Sequence, residues 1–240
     1  MSDDSLFDLQ YFDRRQEYSV VFKRLPHWAQ AGTISFVTWR TADSLPKAAL
    51  ARLNRQRQEL LRQHRLDPDA DWRQELAKLP SGIGEQLHWD FFSAWDRQLD
   101  LAAGACVLRE PALSEIVMNS LRHFDNDRYI LTDVVVMPNH VHLLVAFRDE
   151  ESLMTQCTSW KHFSATRINR WLRINSNHCQ TTSRIDPPST GEFWQVEQFD
   201  RLVRSEEDFC RYRFYVAENP KKARLAEGNF RYYTRIDERT

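Results

Sequence analysis

Apolar residues recur along the chain in two rhythms. Thr33 to Trp39, Tyr129 to Met137 and His140 to Phe147 are short runs rich in Val, Ile, Leu and Phe with almost no charge, the pattern of buried strands. Helical spacing governs Pro46 to His64 and a shorter stretch from Asp71 to Leu79 that Pro80-Ser81-Gly82 breaks. It returns in the Trp- and Phe-rich Leu87 to Leu101, in the amphipathic Glu110 to Asn126, and in Ser152 to Arg173 and Ser205 to Asn219. A Ser/Thr/Pro-rich loop leads to Glu192, and Asn229 to Thr234 is expected as a last strand. The order predicts an α+β fold, a ferredoxin-like sandwich whose central antiparallel sheet carries a helical insertion, about residues 46 to 103, after its first strand. Residues 1 to 19, with Asp3, Asp4 and Asp8, are expected as a flexible arm and residues 20 to 240 as one domain.

One strand breaks the apolar pattern with chemistry. In Val134-Val135-Val136-Met137-Pro138-Asn139-His140-Val141-His142-Leu143, two histidines sit two residues apart. Side chains of a strand alternate faces, so both rings point the same way, roughly 7 Å apart along the strand, and can converge on one divalent ion. The competing reading is a pair of ordinary satisfied histidines. In the C-terminal part, Tyr215 and Asn219 lie four apart in Tyr215-Val216-Ala217-Glu218-Asn219-Pro220. On a helix that spacing puts a phenol and an amide oxygen on one face, and Asn219 can offer its carbonyl oxygen as a third ligand. Pro220 predicts that the helix ends near Asn219. The plainer alternative makes Tyr215 a core ring and Asn219 a C-terminal cap.

Several segments together resemble one family. These are Arg24-Leu25-Pro26-His27-Trp28, Phe36-Val37-Thr38-Trp39-Arg40, Ala42-Asp43-Ser44-Leu45-Pro46, Met137 to Val145, Trp160-Lys161 with Phe163-Ser164-Ala165, Phe193-Trp194-Gln195, Phe199-Asp200-Arg201, Val203-Arg204, and Tyr215 leading into Asn219-Pro220-Lys221-Lys222-Ala223. Across roughly residues 20 to 226 the chain resembles the single-tyrosine HUH transposases, most closely the REP-associated tyrosine transposases. The resemblance implies the HUH endonuclease fold, with His140 and His142 as the histidine ligands, Asn219 as third metal ligand and Tyr215 as nucleophile; Tyr212 competes for that role but lacks the Asn-Pro spacing. It further implies a divalent cofactor and cleavage of single-stranded DNA beside a palindromic hairpin through a 5′-phosphotyrosine, followed by strand transfer. Oxygen-rich, open coordination favours Mg²⁺ or Mn²⁺. A domesticated hairpin-DNA-binding protein without catalysis, and a phosphohydrolase using water, are the alternatives. A monomer is expected on family grounds, with a dimer the other possibility.

Composition narrows the field without choosing within it. The chain has 240 residues, 42% hydrophobic, with no apolar run of transmembrane length and an acidic rather than signal-like start, so a cytoplasmic protein without membrane contact is expected. Cys106, Cys157, Cys179 and Cys210 form no Cys-x-x-Cys pair, and buried or free thiols are expected. The formal net charge of −1 argues against a uniformly basic DNA-binding surface, but the charge is unevenly spread. Lys161, Arg167, Arg170 and Arg173 occupy a stretch without acidic residues, while Arg201, Arg204, Arg211, Arg213, Lys221, Lys222 and Arg224 surround Tyr215. Of these, Lys161, Arg167, Arg170, Arg201, Arg204, Lys221 and Lys222 are the candidate DNA contacts. The loop from Arg173 to Glu192 is a candidate for base contacts.

Overall fold

The structure is a computed structural model and describes residues 8–22, 26–175, 192–196 and 198–235. The chain divides into two compact units, one of residues 1–42 and 105–240, the other of residues 43–104. In the first, β1 (Ser19–Phe22) and β2 (Pro26–Ala29) form an antiparallel hairpin. The main sheet follows from β3 (Ile34–Arg40), β4 (Tyr129–Val136), β5 (His140–Phe147), β6 (Phe199–Leu202) and β7 (Arg231–Thr234), joined in the order β6-β3-β5-β4-β7 with every neighbour antiparallel. With helices α4 (Pro111–Arg122) and α5 (Ser152–Asn175), the path β3-α4-β4-β5-α5-β6 is that of a ferredoxin-like sandwich. β7 extends the sheet beyond β4, and a helix of the C-terminal part, α6 (Glu206–Lys222), covers the other face.

The two faces of the sheet divide cleanly. Val37 and Trp39 of β3, Val134 and Val136 of β4, and Val141, Leu143, Val145 and Phe147 of β5 share one core with Leu113, Val117 and Leu121 of α4 and Leu153, Trp160, Ile168 and Leu172 of α5. By alternation, Phe36, Thr38, His140 and His142 fall on the face that α6 covers. A bulge between Leu131 and Asp133 keeps both residues' neighbours on their proper sides, since Leu131 pairs with Val145 and Asp133 with Leu144. The Pro138-Asn139 turn between β4 and β5 is buried, and its carbonyls are satisfied by the Leu108 and Thr41 N–H groups at 3.1 and 2.8 Å.

Aromatic packing fixes α5 on the sheet. Trp160 stacks on Trp39 (centroids 6.0 Å apart) and meets Tyr129 edge-on at 4.9 Å. The Tyr129 hydroxyl donates to the Leu121 carbonyl (2.7 Å) and accepts from Trp160 Nε1 (3.1 Å). Burial pushes this phenol's pKa up to about 12. Tyr129→Phe leaves a buried indole N–H and a carbonyl unpaired and is expected to cost about 1–3 kcal/mol in chemical denaturation. The folded pKa lies above the ordinary value of 10.0, so the neutral phenol's contribution is complete below pH 10 and lost as pH rises toward 12. The Phe variant should lack that loss, as parallel denaturation curves at alkaline pH would show.

Several boundaries differ from the sequence expectation. The residues just before β1 do not hang as an arm: Gln10 bridges Thr33, Gln10 N–H meets the Gly32 carbonyl at 2.9 Å, and Phe12 N–H meets the Val203 carbonyl at 2.8 Å. Residues 1–7 lie outside the described ones. The hairpin and β6 carry no strong sequence pattern, being strands of 4 residues each. Pro80 is not the end of helical structure but the residue before a long helix.

The second unit holds three helices, α1 (Lys47–Gln63), α2 (Trp72–Ala77) and α3 (Ser81–Asp100). They close on Leu61, Leu76, Leu87 and Phe91, with Trp72 stacked on His88 and edge-on to Phe91. Gly84 permits the approach, because a Cβ there would lie 2.7 Å from the Leu76 carbonyl oxygen. Among the described residues no helix is long and apolar enough to cross a membrane.

Candidate metal centre and nucleophile

The two histidines come together as their spacing requires. His140 pairs with Arg40 and His142 with Thr38 across β3 and β5, and the rings meet edge to face with centroids 4.7 Å apart. Each offers a ring nitrogen within 4.8 Å of the other. Both are fully buried. The Nδ1 atoms are oriented by neighbours: that of His140 lies 2.7 Å from Asn139 Oδ1, and that of His142 lies 2.6 Å from Thr38 Oγ1. Since Asn139 Oδ1 can only accept, His140 carries its proton on Nδ1, and Nε2 keeps the lone pair a metal needs. When the Thr38 hydroxyl accepts, the same holds for His142. Sequence spacing alone does not single out Thr38 or Asn139. A signal exists for Thr38, a polar residue in an apolar strand on the same face as Phe36.

Helix α6 carries the tyrosine. Ser205 caps its N-terminus by accepting from Asp208 N–H (3.1 Å), with Glu206, Glu207 and Asp208 in the first turn and Lys221 and Lys222 in the last, charges that suit the helix dipole. The helix does not stop at Asn219, where Pro220 predicts its end. It runs to Lys222 and ends in a Schellman arrangement, with Arg224 at φ 53° and bonds from Leu225 N–H to the Pro220 carbonyl and Arg224 N–H to that of Lys221. Pro220 removes only one donor near a terminus, which the last turn tolerates. Asn219 is therefore not a cap. Its backbone carbonyl accepts from Ala223 N–H at 3.0 Å, and its side chain is fully buried with neither amide atom hydrogen-bonded among the described residues.

A buried amide without partners costs several kcal/mol if nothing binds it. That orphaned amide lies one turn beyond Tyr215 on the same helix face, and its carbonyl oxygen is of a type that suits a hard cation. Two imidazole nitrogens with one carbonyl oxygen would make an open donor set, of the kind that suits Mg²⁺ or Mn²⁺ more than a closed zinc site.

Tyr215 and Tyr212 divide sharply. Tyr215 lies edge-on to His142 (centroids 5.3 Å) and to Phe36 (5.7 Å), is 8% exposed, and has the Lys222 ammonium 4.7 Å from its ring centre. Tyr212 stacks on the inner side of Phe36 at 4.6 Å and is 0% exposed. Burial raises its pKa, with the Arg201 charge opposing. A nucleophile must be reached by substrate, which disfavours Tyr212.

An ion pair anchors α6 to the sheet. Arg213 Nε lies 3.3 Å from Asp133 of β4, and its Nη2 3.5 Å from the Thr234 hydroxyl of β7. Burial raises the Asp133 pKa, with Thr234 and Arg213 opposing. Arg213→Met strands a buried carboxylate and is expected to cost about 3 kcal/mol, read as a shift in denaturation midpoint. Asp133→Asn in the same background should recover part of it.

The basic residues are dispersed. Arg201 pairs with Phe36 across β6 and β3 and so faces the tyrosines, while Arg204 follows β6 at the start of α6. Lys221 and Lys222 close that helix, and Lys221 pairs with Glu218 at 3.2 Å. Arg211 is 2.5 Å from Asp208. Lys161, Arg167 and Arg170 lie on α5, on the opposite side of the sheet. There the Lys161 ammonium donates to the Val196 carbonyl (2.6 Å) and to Gln198 (3.0 Å). The loop expected to contact bases falls largely in residues 176–191, outside the described residues, as does Cys179. Cys106 and Cys157 are buried and Cys210 exposed, and none of the three is in a disulfide among the described residues.

No protein-family model and no curated protein matches the chain. Among solved structures it is similar to a REP-associated tyrosine transposase bound to a REP hairpin, at 11% identity and a TM-score of 0.41, covering 86% of this chain and 77% of that one.

Proposed function

We propose that this protein is a metal-dependent single-stranded DNA endonuclease and strand transferase that recognises hairpin DNA and cleaves through Tyr215. The observation that carries the reading is the convergence on one sheet face of His140 and His142, each with Nδ1 hydrogen-bonded, and Tyr215 against His142, with the unpartnered Asn219 amide a turn away on the same helix. The motif resemblance across residues 20 to 226 points the same way.

In this reading His140, His142 and Asn219 hold the cation, which when bound supplies Lewis-acid polarisation of a non-bridging phosphate oxygen. Tyr215 supplies the nucleophile. Its phenolic oxygen bonds to phosphorus as the bond to the 3′ oxygen breaks, the phenolic proton passes to solvent, and the departing oxygen takes up a proton as a 3′-hydroxyl. The phosphoester energy is kept in the 5′-phosphotyrosine, so the same step reversed with another 3′-hydroxyl joins strands. Lys222 and Arg201 set positive charge on the tyrosine side, where the anionic backbone must approach, and Arg204 and Lys221 extend it.

The test is incubation of the purified protein with Mn²⁺ and an end-labelled single strand carrying a hairpin, run on a denaturing gel. A labelled band at protein mass supports the proposal. Cleavage without that band points to water as nucleophile, and tight hairpin binding without cleavage points to a DNA-binding role alone.

A further inference from the structure

Phe36 is a buried ring of β3 on the face that α6 covers, and it meets rings from β5, β6 and α6. His142 stacks on it, with centroids 5.7 Å apart and planes within 14°. Tyr212 stacks on it more closely, at 4.6 Å and 20°. Phe199 of β6 lies at 6.5 Å, tilted by 70°, and Tyr215 meets it edge-on at 5.7 Å and 85°. Tyr215 makes a second edge contact with His142, at 5.3 Å and 77°. Near-parallel stacks and edge-to-face contacts are the arrangements that the quadrupole of an aromatic ring favours. Tyr212, Phe36 and His142 therefore form a stack, and the Tyr215 ring stands across it.

Strand register and helix periodicity produce the stack. Thr38 lies opposite His142 across β3 and β5, and Phe36, two residues earlier, shares its face and sits on the diagonal. On α6, Tyr212 and Tyr215 are three apart and so reach Phe36 from one side of the helix. Phe36 thus touches both the helix that carries the phenol and the strand that carries the imidazole. The two β3 side chains constrain His142 in different ways. Thr38 Oγ1, 2.6 Å from Nδ1, fixes one ring atom but not the tilt of the ring plane. Stacking on a flat neighbour fixes the tilt, and with it the direction in which Nε2 points. An aliphatic side chain at position 36 would fill space without defining a plane. The same holds at position 212, where the Tyr212 ring packs on Phe36 and transmits the placement of α6.

We propose that Phe36 and Tyr212 are positioning residues for the reaction, the stacked rings setting the tilt of the His142 imidazole and the edge contacts setting that of the Tyr215 phenol, so that Nε2 and the phenolic oxygen keep one fixed relation. This rests on the reading of His142 and Tyr215 given above. It gives Tyr212 a role through its ring rather than its hydroxyl. A residue acting in this way changes the rate of attack and not the affinity for DNA, since displacing reacting groups by about 1 Å costs on the order of 10²-fold.

The test combines single-turnover attachment with spectra of the metal-free protein. Phe36→Met and Tyr212→Met replace a planar ring by a flexible chain that fills irregular core space, and Tyr212→Phe keeps the ring. With Mn²⁺ and saturating labelled hairpin bearing a single-stranded flank, attachment by either Met variant is expected to slow by about 10²-fold while hairpin Kd changes by less than about twofold, and Tyr212→Phe should match the parent on both. In metal-free protein carrying isotope-labelled histidine, the His142 ring C–H signals are identified by their loss in His142→Ala. They should move in both Met variants and stay in place in Tyr212→Phe. Parental attachment rates in both Met variants overturn the proposal, as does an equal slowing by Tyr212→Phe or a loss of rate matched by a loss of hairpin affinity. If the Met variants do not fold, nuclear Overhauser contacts between the Phe36 and His142 rings of the parent decide, their presence for the proposal and their absence against it. A parent protein that forms no covalent band counts against the Tyr215 reading alone. The His142 signals then decide this one, and unmoved signals in folded Met variants overturn it.

Discussion

Tyr215→Phe is expected to abolish covalent attachment to DNA while leaving hairpin affinity within about twofold. The substitution removes one oxygen and keeps the ring, so the edge-on packing with His142 and Phe36 and the Lys222 ammonium over the ring persist. Removing a nucleophile from a step that has no other removes the reaction, and the loss should be complete at the detection limit, at least about 10³-fold. The comparison that gives this force is Tyr212→Phe. Tyr212 is fully buried against Phe36, and burial raises its pKa, so its hydroxyl should be dispensable for attachment. The readout is the labelled band at protein mass on a denaturing gel. Retained attachment in Tyr215→Phe together with loss in Tyr212→Phe would reverse the assignment. Retained strand cleavage without attachment would hand the attack to water.

The parts of this molecule that are legible in the sequence are those where one local rule dominates. The β4–β5 hairpin is plain because both strands are buried on two faces and so read as continuous apolar runs. The His pair and the Tyr215–Asn219 pair are plain because spacing alone sets their faces. β6 is hidden: Phe199-Asp200-Arg201-Leu202 carries two charges in four residues, and only the fold shows that Asp200 meets His27 while Arg201 turns to the tyrosine side. The end of α6 escapes the local rule because Pro220 weakens a helix by one bond, and the Schellman closure at Arg224 outweighs it. Arg213 illustrates the deeper limit. In the sequence it is one of several cations near Tyr215, yet its partner Asp133 lies 80 residues earlier, and no local pattern announces such a pair. Thr38 and Asn139 orient the imidazoles through strand register and a buried turn, both products of tertiary structure.

His140→Ala and His142→Ala are each expected to lower cleavage by at least about 10³-fold and to remove tight Mn²⁺ binding. In the proposed centre, losing one of three ligands would forfeit most of the charge stabilisation a held cation gives, several kcal/mol, and about 4 kcal/mol corresponds to 10³ in rate. Both residues are fully buried, so folding must be separated from chemistry. Two features do this. Asn139 and Thr38 orient the two rings without offering a ligand in this arrangement, so Thr38→Val should weaken metal binding by about 10- to 100-fold, the usual cost of removing an orienting hydrogen bond, while keeping the strand intact. Asn219→Leu replaces an orphaned amide with an apolar group of similar size. If Asn219 serves only as structure, that change should stabilise the fold, since it removes two unpaired buried polar atoms. If Asn219 is a ligand, the same variant should be as stable or more stable in the absence of metal yet lose Mn²⁺ affinity and cleavage together. Calorimetric titration with Mn²⁺, set beside thermal melts of metal-free protein, distinguishes the cases. A stable Asn219→Leu protein with unchanged Mn²⁺ affinity would remove Asn219 from the centre, and unchanged affinity in both histidine variants would remove the centre altogether.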